Sequence, residues 1–502
     1  VAERSPTLKV PHKGIVTASL MTATTMQSLD MTIVNVALPH IQGSISATQE
    51  QMSWVLTSYI IAVAVMMPMT GWLNARFGRK RLYLVCLLGF TASSILCGIA
   101  QSIEQIVVFR ILQGLSGAAI VPLSQAILLD VNPPQRHARA MAIWTAGITL
   151  APIMGPTLGA WLTESYTWRW CFFVNVPVGL ASLIGISTFL QDSPHQPISF
   201  DKIGFATLGI AIFSLQLALD RGPMKGWLDS TEICIEFTVA ALAAYLFFVH
   251  AASCRRPFID LHMFKDRNFL IGSAIIFATG VPMFAPFALT PSMLQELLNY
   301  PVMTAGLVTA PRGFGMLLGT MLLSPLLRYC DPRAVIAMGF SVSAVSLFQM
   351  SRFFLQMSPE QVVIANFVQG IGNGIAFVPL ATLTFGSLPL RYRTDGTAAY
   401  NLLRNLGGSI GIAVAQVFYV HNSQVMHARL AEHVTPYASH HHHLDLSKSA
   451  LLALEHRVNE QAAMLAYVND FKMMVYVVLG CMPLVLLLRK VTAQDRAAVA
   501  AE

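Results

Sequence analysis

Fourteen stretches of this chain are apolar for long enough to cross a lipid bilayer as helices, and no other feature constrains its fold as strongly. A spanning helix needs about 20 predominantly apolar residues. The stretches are 15–38, 52–73, 82–100, 105–129, 139–162, 171–190, 203–219, 231–250, 269–291, 302–327, 333–355, 361–385, 397–420 and 471–489. Charge is correspondingly scarce. Asp, Glu, Lys and Arg make up 11% of the 502 residues and hydrophobic residues 55%, against roughly 25% charged residues in soluble proteins. A chain so poor in charge cannot cover a water-exposed surface, which excludes a string of soluble domains. The expected class is an all-α, multi-pass membrane protein.

An even number of spans puts both termini on one side. The net charge of +7, from 32 basic and 25 acidic residues, sits mainly in short loops, and its asymmetry sets the orientation. Arg4, Lys9, Lys13, Arg76, Arg79, Lys80, Arg81, Arg136, Lys202, Lys265, Arg267, Arg333, Arg391, Arg393, Arg489 and Lys490 fall on the terminal side. The short loops opposite hold only Arg169, Arg221, Lys225 and Arg352. Both termini are therefore expected in the cytoplasm. The first run is too long for a signal-peptide core and has no small-residue cleavage site, so it is kept as a span. The seven cysteines are scattered without a CxxC pair and read as packing residues rather than ligands or disulfides.

One outer connection stands apart. Residues 422–470 include an amphipathic stretch from Ser449 to Val468, with Leu451, Leu452, Leu454, Val458, Ala462 and Leu465 at helical spacing. Glu455, His456, Arg457, Asn459 and Glu460 interrupt it, so it is not a further span but an external hairpin or cap.

Inside the spans, ionisable residues are rare. Fifteen residues from Ile15, at about 1.5 Å each, place Asp30 roughly 22 Å into a core about 30 Å thick. Six residues into a span that runs inward from about residue 104, Arg110 lies roughly 9 Å from the outer face, the same depth. An intramembrane acid is costly and is a functional candidate by default. A guanidinium that approaches or leaves it would release or load a proton; a static ion pair is the plainer alternative. Arg312 and Arg404 also fall within spans and make the interior formally cationic. That suits weakly acidic or anionic lipophiles, unless both arginines simply bind backbone carbonyls. The fifth span carries Gly147, Gly155-Pro156 and Gly159, whose spacing lets helices approach closely. The loop after the second span, Gly71 to Arg81, combines turn-forming Gly71 and Gly78 with Arg76 and Arg79 at the inner face.

Taken together, these residues resemble the major facilitator superfamily. Gly71–Lys80, Arg110–Gly117 and Gly147–Ala160 are similar to its motifs A, B and C, the last known as the antiporter motif. Leu29–Pro39, Trp168–Gly179, Pro311-Arg312-Gly313 and Asn401–Gly411 extend the resemblance to the fourteen-helix drug:proton antiporter branch. Pro133-Pro134-Gln135-Arg136 and the long outer connection are similar to EmrB-type multidrug exporters. The resemblance implies two six-helix halves, residues 1–190 and 269–489, with two inserted helices in 191–268 and a tail, 490–502. It implies a cavity lined by spans 1, 4, 9 and 12, for which the candidates are Met26, Gln113, Phe284, Phe287, Arg312, Gln369, Asn373 and Arg404. Asp30 and Arg110 become the proton-coupling pair; Gly71, Arg76, Gly78 and Arg79 become the cytoplasmic gate. Motif A usually carries Asp where this chain has Ala75, which leaves the gate to Arg76 and Arg79 alone.

The function implied is proton-driven efflux of lipophilic toxic compounds across the bacterial inner membrane, with an EmrA-like periplasmic adaptor and a TolC-like outer-membrane channel as partners. A dedicated exporter of an endogenous lipid, siderophore or metabolite shares the same machinery. A membrane-embedded lipid-modifying enzyme would want several polar groups converging at one interface, which these spans do not offer. No Walker-type loop, HExxH or GxSxG appears, so no cofactor is expected and the energy source is the proton gradient. His440 to His443 form a tetrad without a second ligand cluster, read as a solvated run; no metal site is assigned.

Overall fold

The computed structural model describes residues 12–45, 47, 49–132, 136–191, 200–254, 257–389, 392–432 and 448–490. The His440–His443 tetrad, Pro133–Gln135 and the tail beyond 490 lie outside them.

Among the described residues the chain forms fourteen helical columns. They are α1 (Lys13–Ile45), α2 (Gln49–Met66, resumed after one 3-10 turn as Thr70–Phe77), α3 (Arg79–Ile99) and α4 (Ile103–Gly117 and Ile120–Val131). Then come α5 (His137–Ser165), α6 (Trp170–Phe173 and Asn175–Phe189), α7 (Lys202–Lys225) and α8 (Thr231–Ser253). The second half holds α9 (Arg267–Ala278 and Gly280–Glu296), α10 (Val302–Thr309 and Pro311–Tyr329), α11 (Pro332–Met350), α12 (Pro359–Gly386), α13 (Arg393–Glu432) and α14 (Lys448–Leu487). Among the described residues, eleven of these columns are long and apolar enough to cross a membrane.

Local chemistry sets the helix ends. Ser102 caps α4 by accepting from the Gln105 N–H, and Asp201, Asp266 and Asp331 cap α7, α9 and α11 in the same way. Between α2 and α3 the backbone turns at Gly78 with φ 82°, a conformation a side chain would strain.

The N-terminal half packs α1 on α5 and α6, α2 on α4, and α3 on α4 and α6. In the C-terminal half α10 and α11 pack on α12, α9 on α13, and α11 and α13 on α14. The halves meet where α5 lies against α10 and where α4 touches α13. The inserted helices are not a separate appendage: α7 packs on α2 of one half and α13 of the other, and so straddles the seam.

The outer connection departs from the sequence reading. No span ends at 420 and none begins at 471; α13 and α14 are each 40 residues long, about 60 Å at helical rise. Twice the thickness of the hydrocarbon core, they continue past it as an antiparallel helical pair. The amphipathic stretch from Ser449 is the first half of α14, with Ala462, Met464, Ala466 and Tyr467 buried and Leu451, Leu452 and Leu465 exposed. Of the residues that interrupt the apolar pattern, Glu455, His456, Arg457 and Asn459 are exposed along the helix, and solvated polar residues do not have to end it.

Candidate functional site

Asp30 and Arg110 pair directly. Both are 0% exposed, and the Arg110 Nη1 donates to Asp30 Oδ2 at 2.5 Å. Two further donors reach Asp30 Oδ1: the amides of Gln113, at 3.0 Å, and Asn175, at 2.8 Å. Three donors thus converge on one carboxyl. Arg110 is held on every side. It donates to the Val55 carbonyl at 3.1 Å and to Gln113 Oε1 at 2.8 Å, and its guanidinium lies 4.2 Å over the Tyr59 ring. Its Nη2 has no hydrogen-bond partner among the described residues. Asn175 is fixed in turn by Ser94, whose hydroxyl donates to the Phe172 carbonyl. Four helices thus converge on one carboxyl: α1, α4, α6 and, through Ser94, α3.

The small residues of α5 bring that helix onto α1. Thr25 donates to the Gly147 carbonyl at 2.9 Å. A Cβ at Gly155 would meet the Thr32 side chain, and one at Gly159 the Ile33 backbone. α5 runs as one helix through Pro156. The antiporter-motif glycines therefore press directly on the segment of α1 that carries Asp30.

At the end of the bundle marked by Arg76, Arg79 and Arg393, a second charged group joins the halves. Asp130, at the foot of α4, accepts from Arg79 and, through its other oxygen, from Arg393 Nη1 at the start of α13. Beside it the Asp395 carboxyl fills the space a side chain on Gly71 would need, and Asn74 donates to Thr394 Oγ1 at 3.2 Å. This corrects the expectation that Arg76 and Arg79 act alone. Arg76 is exposed, and the carboxylate that Arg79 meets is Asp130, from α4.

The cavity candidates scatter. Met26 is 2% exposed within the N-terminal core, and Gln113 belongs to the Asp30 cluster. Asn373 accepts from Ser343 of α11, and Gln369 donates to the Pro282 carbonyl of α9. Phe284 packs its ring on Gly408 of α13. Phe287 and Arg312 come together: the guanidinium stands 4.4 Å over the ring, 5% exposed, with Nε and Nη2 unpartnered among the described residues. Arg404 is half-buried, with Nε unpartnered. Among the described residues each arginine thus keeps at least one buried N–H without a partner.

Asn175, Asp130, Asp395 and Asp470 escaped the sequence reading as individuals. Asn175 lay within a motif already singled out. Asp130 and Asp395 sit at helix ends, where a loop charge is unremarkable until its partner is known. As for metals, Asp201, His250 and Cys254 bring one ligand atom each within 4.8 Å of one another. Asp201 is already engaged, however, by the Gly204 and Phe258 N–H groups and the His250 ring.

The sequence profile of the Major Facilitator Superfamily matches residues 20–412. The multidrug export protein EmrB of Haemophilus influenzae is 36% identical over 446 residues, 87% of this chain and 86% of the relative. EmrB of Escherichia coli K12 is 34% identical over 426 residues, 84% of this chain and 83% of the relative. The fatty acid resistance protein FarB of Neisseria gonorrhoeae is 35% identical over 441 residues, 86% of each chain. Among solved structures, the human organic anion transporter MFSD10 shares the fold with a TM-score of 0.60 at 13% identity, covering 93% of this chain and 99% of the other.

Proposed function

The chain belongs to the major facilitator superfamily, and we propose that it is a proton-driven antiporter that expels lipophilic toxic compounds across the bacterial inner membrane, with both termini in the cytoplasm. The observation that carries this reading is the Asp30–Arg110 pair. Taking two charges out of water costs several kcal/mol per ion before their attraction is counted, and a helix contact that needed only strength would use apolar groups. A proton on Asp30 weakens its hold on Arg110. α1 carries Asp30 and is gripped by the glycines of α5, so loss of that hold shifts α1 against α4. At the cytoplasmic end Asp130, Arg79 and Arg393 keep the halves together until such a shift parts them. No cofactor enters: the gradient supplies the energy.

The substrates are lipophiles, and Arg312 and Arg404 favour those that are weak acids. Buried guanidiniums without a counter-ion gain from a ligand carboxylate, and the Phe287 ring beside Arg312 offers an apolar wall. The relative from Neisseria gonorrhoeae is named for fatty acid resistance, which is the chemistry these groups suit. The extended α13–α14 pair supports the partnership with a periplasmic adaptor and outer-membrane channel. It projects helical surface well beyond what joining two spans requires.

Proteoliposomes with an imposed pH gradient test the central reading, with ethidium and decanoate as probes. Gradient-dependent flux of at least one is expected; flux of neither overturns it. Replacing residues 430–465 by a short Gly/Ser linker tests the docking surface. Adaptor co-purification and resistance in cells should be lost while liposome antiport is kept. Unchanged adaptor capture would remove the docking role.

A further inference from the structure

A second carboxyl lies as deep in the bundle as Asp30. Asp30 is seventeen residues from the Lys13 end of α1, and Asp470 seventeen from the Leu487 end of α14, about 26 Å from the same face in each case. Asp470 is 0% exposed. Its surroundings are the reverse of those of Asp30. Neither carboxylate oxygen has a hydrogen-bond partner among the described residues, and no cation stands against it.

The neighbours come from every helix packed on α14. On its own helix Tyr467 lies one turn away on the same face, while Lys472 is exposed. From α13, Tyr419 stacks on Tyr467 with ring centroids 4.4 Å apart; His421 is exposed and lines a groove with Trp227 and Phe237. At the outer end of α9, Glu296 is exposed. After α11, Phe353 packs on Phe471, and Arg352 is exposed, its guanidinium over Phe348.

An unpaired carboxylate in this position would cost several kcal/mol. Even as a neutral acid it leaves a buried hydroxyl unsatisfied, a cost of about 1–3 kcal/mol. Packing does not repay that, since Asn or Leu would fill the same space. An intramembrane acid kept at such a cost is a functional group by default. We propose that Asp470 is a second proton-binding site, holding its proton in the conformation seen here.

The step is a simple protonation. The Asp470 carboxylate takes one H⁺ from outer water, forming the neutral acid. It gives back one H⁺ when its surroundings change. α13 supplies that change, because this single helix carries both Tyr419 beside Asp470 and Arg393 in the bridge to Asp130. Release of Arg393 therefore moves a wall of the Asp470 site.

The inference rests on the antiport reading, but its first test needs no substrate. Infrared spectroscopy of the purified full-length protein detects the carbonyl stretch of a buried carboxylic acid, identified by its downshift in D₂O. That band is expected at neutral pH in wild type and in Asp30→Asn, to fade on alkaline titration, and to be missing in Asp470→Asn. A band that Asp470→Asn leaves intact, or that no titration removes, overturns the proposal. Asn copies the neutral acid in shape, so folding should survive; a monodisperse elution profile checks it. In proteoliposomes, decanoate efflux and pyranine-reported proton influx give the ratio of protons to substrate. Asp470→Asn should lower it by one. An unchanged ratio also overturns the second site. Absence of any gradient-driven flux in wild type would instead remove the antiport reading, with the infrared band still deciding the site.

Discussion

Asp130 and Arg393 tie the two halves of the protein together across the seam at its basic end. They come from α4 and α13, 263 residues apart in sequence, and Asp130 holds Arg79 of its own half with its other oxygen. One carboxylate thus bridges two guanidiniums. Asp130→Asn removes the negative charge from both contacts, and breaking a buried pair from one side costs roughly 3–5 kcal/mol, somewhat less here because these groups are 12–19% exposed. The halves should part more readily. Spin labels at Lys80 and Lys265 should report a longer distance in the variant; an unchanged distribution would deny the bridge a latching role.

Asp30→Asn preserves shape and removes titration. The one remaining oxygen can serve either Arg110 or the Gln113 and Asn175 amides, and the other side faces an amide NH2, so the cluster loosens on one side while folding should hold and substrate affinity should change modestly. Gradient-driven transport should fall to background. Normal proton-coupled efflux by this variant would take the carrier role from Asp30.

Gly155 lets α5 approach α1 at the Thr32 side chain, where a Cβ has no room. Overpacking of this kind typically costs 1–3 kcal/mol. Gly155→Leu should wedge the helices apart beside Asp30 and reduce transport at least tenfold, with expression reduced less. Full activity in Gly155→Leu would mean that close approach is not needed.

Arg312→Met keeps the packing against Phe287 and deletes the charge. Efflux of decanoate should weaken about tenfold or more while that of ethidium is kept or improved. Competition in which only permanent cations displace one another in wild type would end the preference for acids.

Asp201 clamps the inserted helices near the basic end. Burial opposes its ionised form, but the N–H groups of Gly204 and Phe258 and the His250 ring outweigh that and hold it below the usual carboxylate range. The folded form therefore binds protons less readily than the unfolded chain. The stabilisation is complete above the unfolded value of about 3.9 and is lost as pH falls through the lower folded value. Asp201→Ala should lower thermal stability at pH 7, with a cap alone worth about 1 kcal/mol. The gap between the two melting curves should narrow as pH falls below about 3.9. A gap independent of pH would show that the clamp is not electrostatic.

Hydrophobic runs and loop charge told the class and the column count because bilayer thickness and the cost of unpaired backbone leave long helices as almost the only solution for so apolar a chain. Asp30 and Arg110 were legible for the same reason: a charge inside a span is expensive wherever the chain folds, so it stands out without a partner in view. What the linear order could not hold was pairing. That Asp130 reaches Arg393, that Asp395 occupies the space beside Gly71, and that Met26 and Asn373 are packed within their own halves depend on helices that meet only after folding. Asp470 is the sharpest case. In sequence it breaks a hydrophobic run and so reads as the edge of a loop. Only the packing of α9, α11 and α13 around α14 removes it from water and makes it a buried acid.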